Sequence, residues 1–333
     1  MIQSGNGGES IKSVRRNKKT LIINNGSFTY DSIGRLASEV QTLSGQSQTT
    51  VGYTYDGNNN LSKITYPDAR ESVYSYDNLN RVTGITFSGG TIASYAYTGI
   101  LNTGISYGNG VTTSQTFDEL LRLKTLGSGV TGLASYTYTY DPVGNITSDS
   151  QKNYTYDSIY RLTQVNNAQS GTLLESFNYD KTGNRNSNIL GGLSNTYSGN
   201  ILNQYLSVTQ SGSATGSTAY SYDNNGNITS NGVYAFGYDY KNRLEKVSSG
   251  STAISEYQYD ILGRRVQKTV GDETTQYVYA DKNTITEART NNGTTFKKTY
   301  INGIGTDNLI AYDNEEVNLS PDEKSELMDG AVS

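Results

Sequence analysis

The chain has 333 residues, only 34% of them hydrophobic, with 29 Tyr, 36 Gly, 3 Pro and a formal charge of −5. That apolar share lies below the roughly 45–50% of ordinary soluble domains, which makes a thick two-layer core hard to fill, while scarce Pro and abundant sheet-forming Tyr argue against a disordered tail. The absence of Cys and His removes disulfides, thiolate metal sites and histidine-dependent nucleophiles, and the acidic balance lacks the basic field of a nucleic-acid binder.

In chain order, residues 1–19 read as a basic, flexible N-terminal tail carrying Lys12, Arg15, Arg16, Lys18 and Lys19, without the apolar stretch of a signal peptide. No segment approaches the ~18 continuous apolar residues of a membrane span. From residue 20 to 312 one pattern returns roughly every twenty residues: aromatic-x-Tyr-Asp-x-x-(Gly/Asn)-(Arg/Asn)-(Leu/Val/Ile). Its copies carry Tyr30, Asp31 and Gly34; Tyr55 and Asp56; Tyr76 and Asp77; Tyr140, Asp141 and Gly144; Tyr156 and Asp157; Tyr179, Asp180 and Gly183; Tyr222, Asp223 and Gly226; Tyr238 and Asp239; and Tyr259, Asp260 and Gly263. A weaker copy sits at Phe117 and Asp118, and degenerate ones fill the long gaps at Tyr95/Tyr97 and near Tyr197, with another at Tyr277/Tyr279, where Ala280 takes the Asp place.

The physical reading of the motif is a hairpin. Tyr-x-Tyr places two rings on one face of a strand, because side chains alternate with period two. Asp then opens a turn by accepting nearby backbone N–H groups, and Gly or Asn supplies the left-handed residue that closes it. The following Arg-Leu or Asn-Ile starts the return strand. Apolar residues then fall three apart, as in Leu61/Ile64, Val82/Ile85, Leu123/Leu126, Leu162/Val165 and Leu244/Val247. Two geometries satisfy that spacing: a β-bulge that restores both residues to one face, or a sheet buried on both sides. One hairpin is marginal alone, so neighbours must stack into a long curved or spiralling antiparallel sheet. Residues 313–333 read as an acidic tail with a short helix, Ser320 as N-cap and Met328 near its end.

Chemistry beyond the turns is sparse. Asp56-x-Asn58-x-Asn60 and Asp223-x-Asn225-x-Asn227 resemble calcium loops but lack the Gly and Glu those need. Catalytic, cofactor and metal sets are therefore expected to be empty, and the motif residues named above are the structural site.

Tyr-x-Tyr-Asp-x-x-Gly-Arg-Leu resembles the YD repeat of bacterial Rhs proteins, of the shell subunits of insecticidal toxin complexes and of teneurins. Tyr300-Ile301-Asn302-Gly303-Ile304-Gly305, followed by Asp307-Asn308-Leu309-Ile310-Ala311-Tyr312, is similar to the segment ending many Rhs repeat regions. The resemblance implies a β-strip spiralling into a hollow shell that encloses a toxin or, in teneurins, supports adhesion. It implies a non-enzymatic, secreted or cell-surface scaffold, with other shell chains or an encapsulated effector as partners. The family's His-containing block and self-cleavage site have no counterpart, and Asp141-Pro142-Val143-Gly144 reads as an ordinary turn. The competing reading is an extracellular module whose Tyr faces bind glycans or a cell surface.

Overall fold

The computed structural model describes residues 9–10, 26–42, 48–133 and 135–317, and among them it holds thirty-one strands and no helix. The basic run from Lys12 to Lys19 and the expected helix from Ser320 to Met328 lie outside the described residues. Within the expected N-terminal tail, Glu9 and Ser10 pair with Phe28 and Ser27. The last strand, Leu309–Val317, runs past residue 312 into the expected acidic tail.

Every strand is hydrogen-bonded to its neighbours in sequence, in three antiparallel sheets of twelve, nine and ten strands. The ladder breaks only at single residues, and there the backbone still bonds: Tyr138 N–H donates to the Lys124 carbonyl and Tyr220 N–H to that of Leu206, each at 2.9 Å. Purely local pairing of this kind is what a repeat too weak to stand alone produces.

The spacing-by-three resolves as a bulge. Tyr55 faces Leu61 and Thr54 faces Lys63, so Ser62 is the extra residue and the register shifts at Thr54/Tyr55. Leu61 and Ile64 then stand opposite Tyr55 and Tyr53, on the Tyr face. The same shift places Val82 and Ile85 opposite Tyr76 and Tyr74, Leu162 and Val165 opposite Tyr156 and Tyr154, and Leu244 and Val247 opposite Tyr238 and Phe236.

Two compact units emerge. The first comprises Met1–Tyr95, Tyr107–Gly110 and Ala253–Ser333; the second comprises Ala96–Ser106 and Val111–Thr252. In the first unit the early strands stack on the late ones, and a core of Val51, Ile64, Tyr66, Tyr74, Ile85 and Phe87 packs with Val278, Ala280, Ile285 and Ile301. In the second unit Val165 and Asn188 are the only buried side chains among the described residues.

Candidate functional site

The site begins with the turn. At Asp31 the carboxylate Oδ1 accepts the N–H of Ile33 at 3.0 Å and of Arg35 at 2.9 Å, while Oδ2 accepts Nε of Arg35 at 2.6 Å. Gly34 N–H donates to the Asp31 carbonyl, and the bend closes with Gly34 at φ 87°. Asp77, Asp118, Asp157 and Asp239 repeat this pattern with Arg81, Arg122, Arg161 and Arg243. Asp260 likewise accepts the backbone N–H and Nε of Arg264. Where the motif carries Asn instead, Asn60, Asn145, Asn184 and Asn227 donate Nδ2 to Asp56, Asp141, Asp180 and Asp223. Donors around each carboxylate favour its charged form. Asn60 holds Asp56 below the usual carboxylate range, and Thr182 with Asn184 holds Asp180 at about 2. The calcium-like loops are thus turns whose carboxylate oxygens are already engaged by their own chain.

The second Tyr of each motif fastens a repeat to the one before it. Tyr55 OH donates to the Leu36 carbonyl at 3.0 Å, Tyr76 to Leu61 at 2.7 Å, Tyr140 to Leu123 at 2.6 Å and Tyr156 to Ile146 at 2.8 Å. Tyr179, Tyr222 and Tyr238 do the same to Leu162, Tyr205 and Ile228. Tyr259 occupies the equivalent register position, opposite Arg265. The preceding turn's guanidinium covers several of these rings: Arg35 lies 4.5 Å from the Tyr55 centroid, Arg122 4.4 Å from Tyr140 and Arg161 4.7 Å from Tyr179. Burial pushes the Tyr76 phenol up to about 12, so it stays a donor. Turns also touch directly, Asn60 donating to Asn80 and Arg161 to the Asp180 carbonyl, each at 2.9 Å. Tyr30 begins the described series and is 59% exposed.

Sequence reasoning placed a degenerate copy near Tyr197 without naming its turn residue, and it missed a second turn of this build. Asn200 takes the Asp place and accepts N–H groups of Leu202 and Gln204 through its side-chain oxygen. Tyr66 takes it in the bend closed by Arg70, where Asp68 accepts from Arg70 instead.

It also missed the seam inside the first unit. Tyr66 OH donates to the Tyr300 carbonyl at 2.9 Å and Tyr74 OH to that of Asn302 at 2.8 Å. Gln41 Nε2 reaches the Tyr279 carbonyl at 2.7 Å, and Asp281 N–H donates to Tyr53 OH at 3.0 Å. Glu39, fully buried, pairs with Arg264. Lys297 donates to Asp68 at 2.6 Å, and Arg70 donates to Asp313 at 2.8 Å. Burial would raise the Asp68 carboxyl, but hydrogen bonds from Arg70 and Lys297 outweigh it and hold it at about 2. Beside the seam lies a cleft of about 350 Å³, walled by Tyr53, Tyr66, Tyr74, Tyr76, Ile285 and Ile304. One signal existed in the sequence: Glu39 occupies the place where sister repeats carry Ile64, Ile85 and Val165.

The sequence profile of the teneurin YD-shell matches residues 143–317, more than half of the chain, and that of the RHS repeat matches residues 30–71 and 55–92. The chain belongs to the YD-shell family of Rhs repeats. Among curated relatives, the tRNA nuclease WapA of Bacillus subtilis (strain 168) is 34% identical over 140 residues, covering 40% of this chain and 6% of that protein. Among solved structures, this YD-shell chain superimposes on the Photorhabdus luminescens Tc holotoxin pore with a TM-score of 0.62 at 17% identity, covering 90% of this chain and 18% of that one. The TcdB2-TccC3 crystal structure gives a TM-score of 0.56 at 14% identity, covering 89% and 20%. The YD-shell chain therefore spans a small fraction of each of these relatives, and the structural likeness is one of fold.

Proposed function

We propose that this chain is a non-catalytic wall segment of an Rhs-type β-shell, secreted or surface-exposed, that encloses or presents a toxin or effector polypeptide. The observation carrying the proposal is where the motif's chemistry goes. Asp carboxylates close turns, Arg and Asn side chains bridge to the next turn, and Tyr hydroxyls bond to the neighbouring repeat's backbone. Polar groups used this way build a continuous wall and engage the motif carboxylates in their own turns. The seam supports the same reading, since it locks late repeats onto early ones through buried apolar side chains. WapA is named a tRNA nuclease, but the match covers 6% of it, and we assign the shared part to the repeats and not to nuclease chemistry. The glycan-binding alternative has less support, because the motif rings it would use are capped by hydroxyl bonds and guanidinium groups.

Small-angle scattering of the purified chain, with and without an effector polypeptide, tests the proposal together with a saccharide array and a tRNA-cleavage assay. A hollow particle or an effector complex, with no retained saccharide and no cleavage, is the expected result. An open strip that retains a saccharide, or cleavage that survives stringent purification, would sink it.

A further inference from the structure

We propose that the turn tips of the second unit form a docking ridge for a second copy of this chain, related to the first by a two-fold axis. Eight successive tips lie along one edge of that unit, and the first six make the ridge: Gly99–Ile100, then the turns opened by Asp118, Asp141, Asp157, Asp180 and Asn200, with those opened by Asp223 and Asp239 continuing beyond them. Two strands separate consecutive tips, so they stand about 10 Å apart. They are joined side by side: Arg122 reaches the Asp141 carbonyl, Arg161 that of Asp180, and Asn184 the Asn203 side chain.

What these tips display is unusual for a solvated edge. Ile100, Leu120, Leu121, Val143, Ile159, Tyr160, Ile201 and Leu202 are all exposed, from 57% at Leu121 to 99% at Ile201. Together they line that edge with apolar side chains held in water, the kind of display that marks an interaction surface.

Backbone strain supplies a second, independent sign. Leu121 and Tyr160 sit at φ 62° and 66°, at the turn position where sister motifs place Gly34, Asn80, Gly144 or Gly263. Large side chains disfavour that conformation, and neither residue is buried by the fold it strains. A contact made outside the chain would offset that strain.

Charge selects the occupant. Glu119 lies on the second tip, Lys181 on the fifth, both are exposed, and no ion pair of theirs is found among the described residues. A two-fold axis between the third and fourth tips sets Glu119 against the partner copy's lysine on the fifth. It also sets Ile100 against the apolar sixth tip, and Val143 against the Ile159 and Tyr160 tip. The six-tip stretch is thus self-complementary, as an isologous interface must be. This inference does not depend on the shell reading.

Sedimentation of the full chain between about 0.1 and 100 μM tests it, a span that covers ordinary dimer affinities. A monomer–dimer equilibrium is expected. Glu119→Lys and Lys181→Glu should each weaken it about tenfold, and the double swap should restore it. Val143→Asp with Ile159→Asp should abolish it while circular dichroism and the melting temperature stay unchanged. Tyr160→Gly should weaken the dimer while raising the melting temperature of the monomeric Asp variant. A chain that is monomeric throughout, including one that instead binds phosphatidylcholine vesicles, overturns the proposal. So does a dimer indifferent to the charge swaps.

Discussion

The two units are built from one repeat yet held by different forces. In the first, strands from both ends of the array stack, and Ile85, Ile285 and Ile301 are almost wholly withdrawn from water. In the second, Val165 and Asn188 are the buried side chains among the described residues, and stability rests on strand pairing, Asp-closed turns and Tyr hydroxyls. The lesson is that the YD motif makes a sheet but not a core. A core appears only where one stretch of sheet finds another to cover its Tyr face.

Substitutions can break or sharpen that contrast, with hydrogen exchange reporting each unit separately. The largest effect is expected from Arg264→Ala, which strands the buried Glu39 carboxylate and should cost about 3–5 kcal/mol, localised to the first unit. Ile85→Ala should follow at about 2–5 kcal/mol, whereas truncating Val165 to Ala should cost less, about 1–2 kcal/mol, because fewer atoms leave a thinner layer. Equal losses at those two sites would erase the distinction between the units. In the second unit, Tyr179→Phe removes one hydroxyl bond to the Leu162 carbonyl and should cost about 1 kcal/mol, read as faster exchange across the Leu162 and Tyr179 strands.

Acid should loosen the first unit through Asp68. Its carboxyl is depressed from 3.8 to about 2, so its contribution is complete above pH 3.8 and is lost as pH falls toward 2. The melting-temperature gap between the wild type and Asp68→Asn should be constant at neutral pH and close over that window. The smallest effect has the opposite sign. Leu121→Gly should stabilise the monomer by about 0.5 kcal/mol, since Gly adopts φ 62° without a side-chain penalty but gives the unfolded chain more freedom.

Much of the fold was legible because its rules are local. Asp31, Asp141 and Asp223 announce their turns within five residues, and Tyr-x-Tyr announces a face. The bulge stood open between two geometries because spacing by three fits both, and only the pairing of Leu61 with Tyr55 decides between them. The seam was not legible. Tyr66 and Tyr300 are separated by most of the chain, and nothing in either's neighbourhood encodes the other. Glu39 alone carried a trace, a carboxylate in a place its sister repeats fill with Ile or Val. Near Tyr197 the repeat was visible but its turn residue was not, because the Asn200 amide oxygen does a carboxylate's work there and a search for Asp does not register it.

The extra residue after each Tyr has a consequence for how such a chain can change its length. Because Ser62 lies outside the pairing, deleting it would leave Leu61 opposite Tyr55, Lys63 opposite Thr54 and Ile64 opposite Tyr53, so the bulge is the one place in the hairpin where a residue can be lost without a slip. Single-residue gains or losses elsewhere in a strand instead turn every side chain up to the next bend to the other face. Duplication or excision of an entire hairpin, from one Asp to the next, leaves every remaining side chain facing as before. Arrays of this kind are expected to grow and shrink in whole modules, by recombination rather than by small indels.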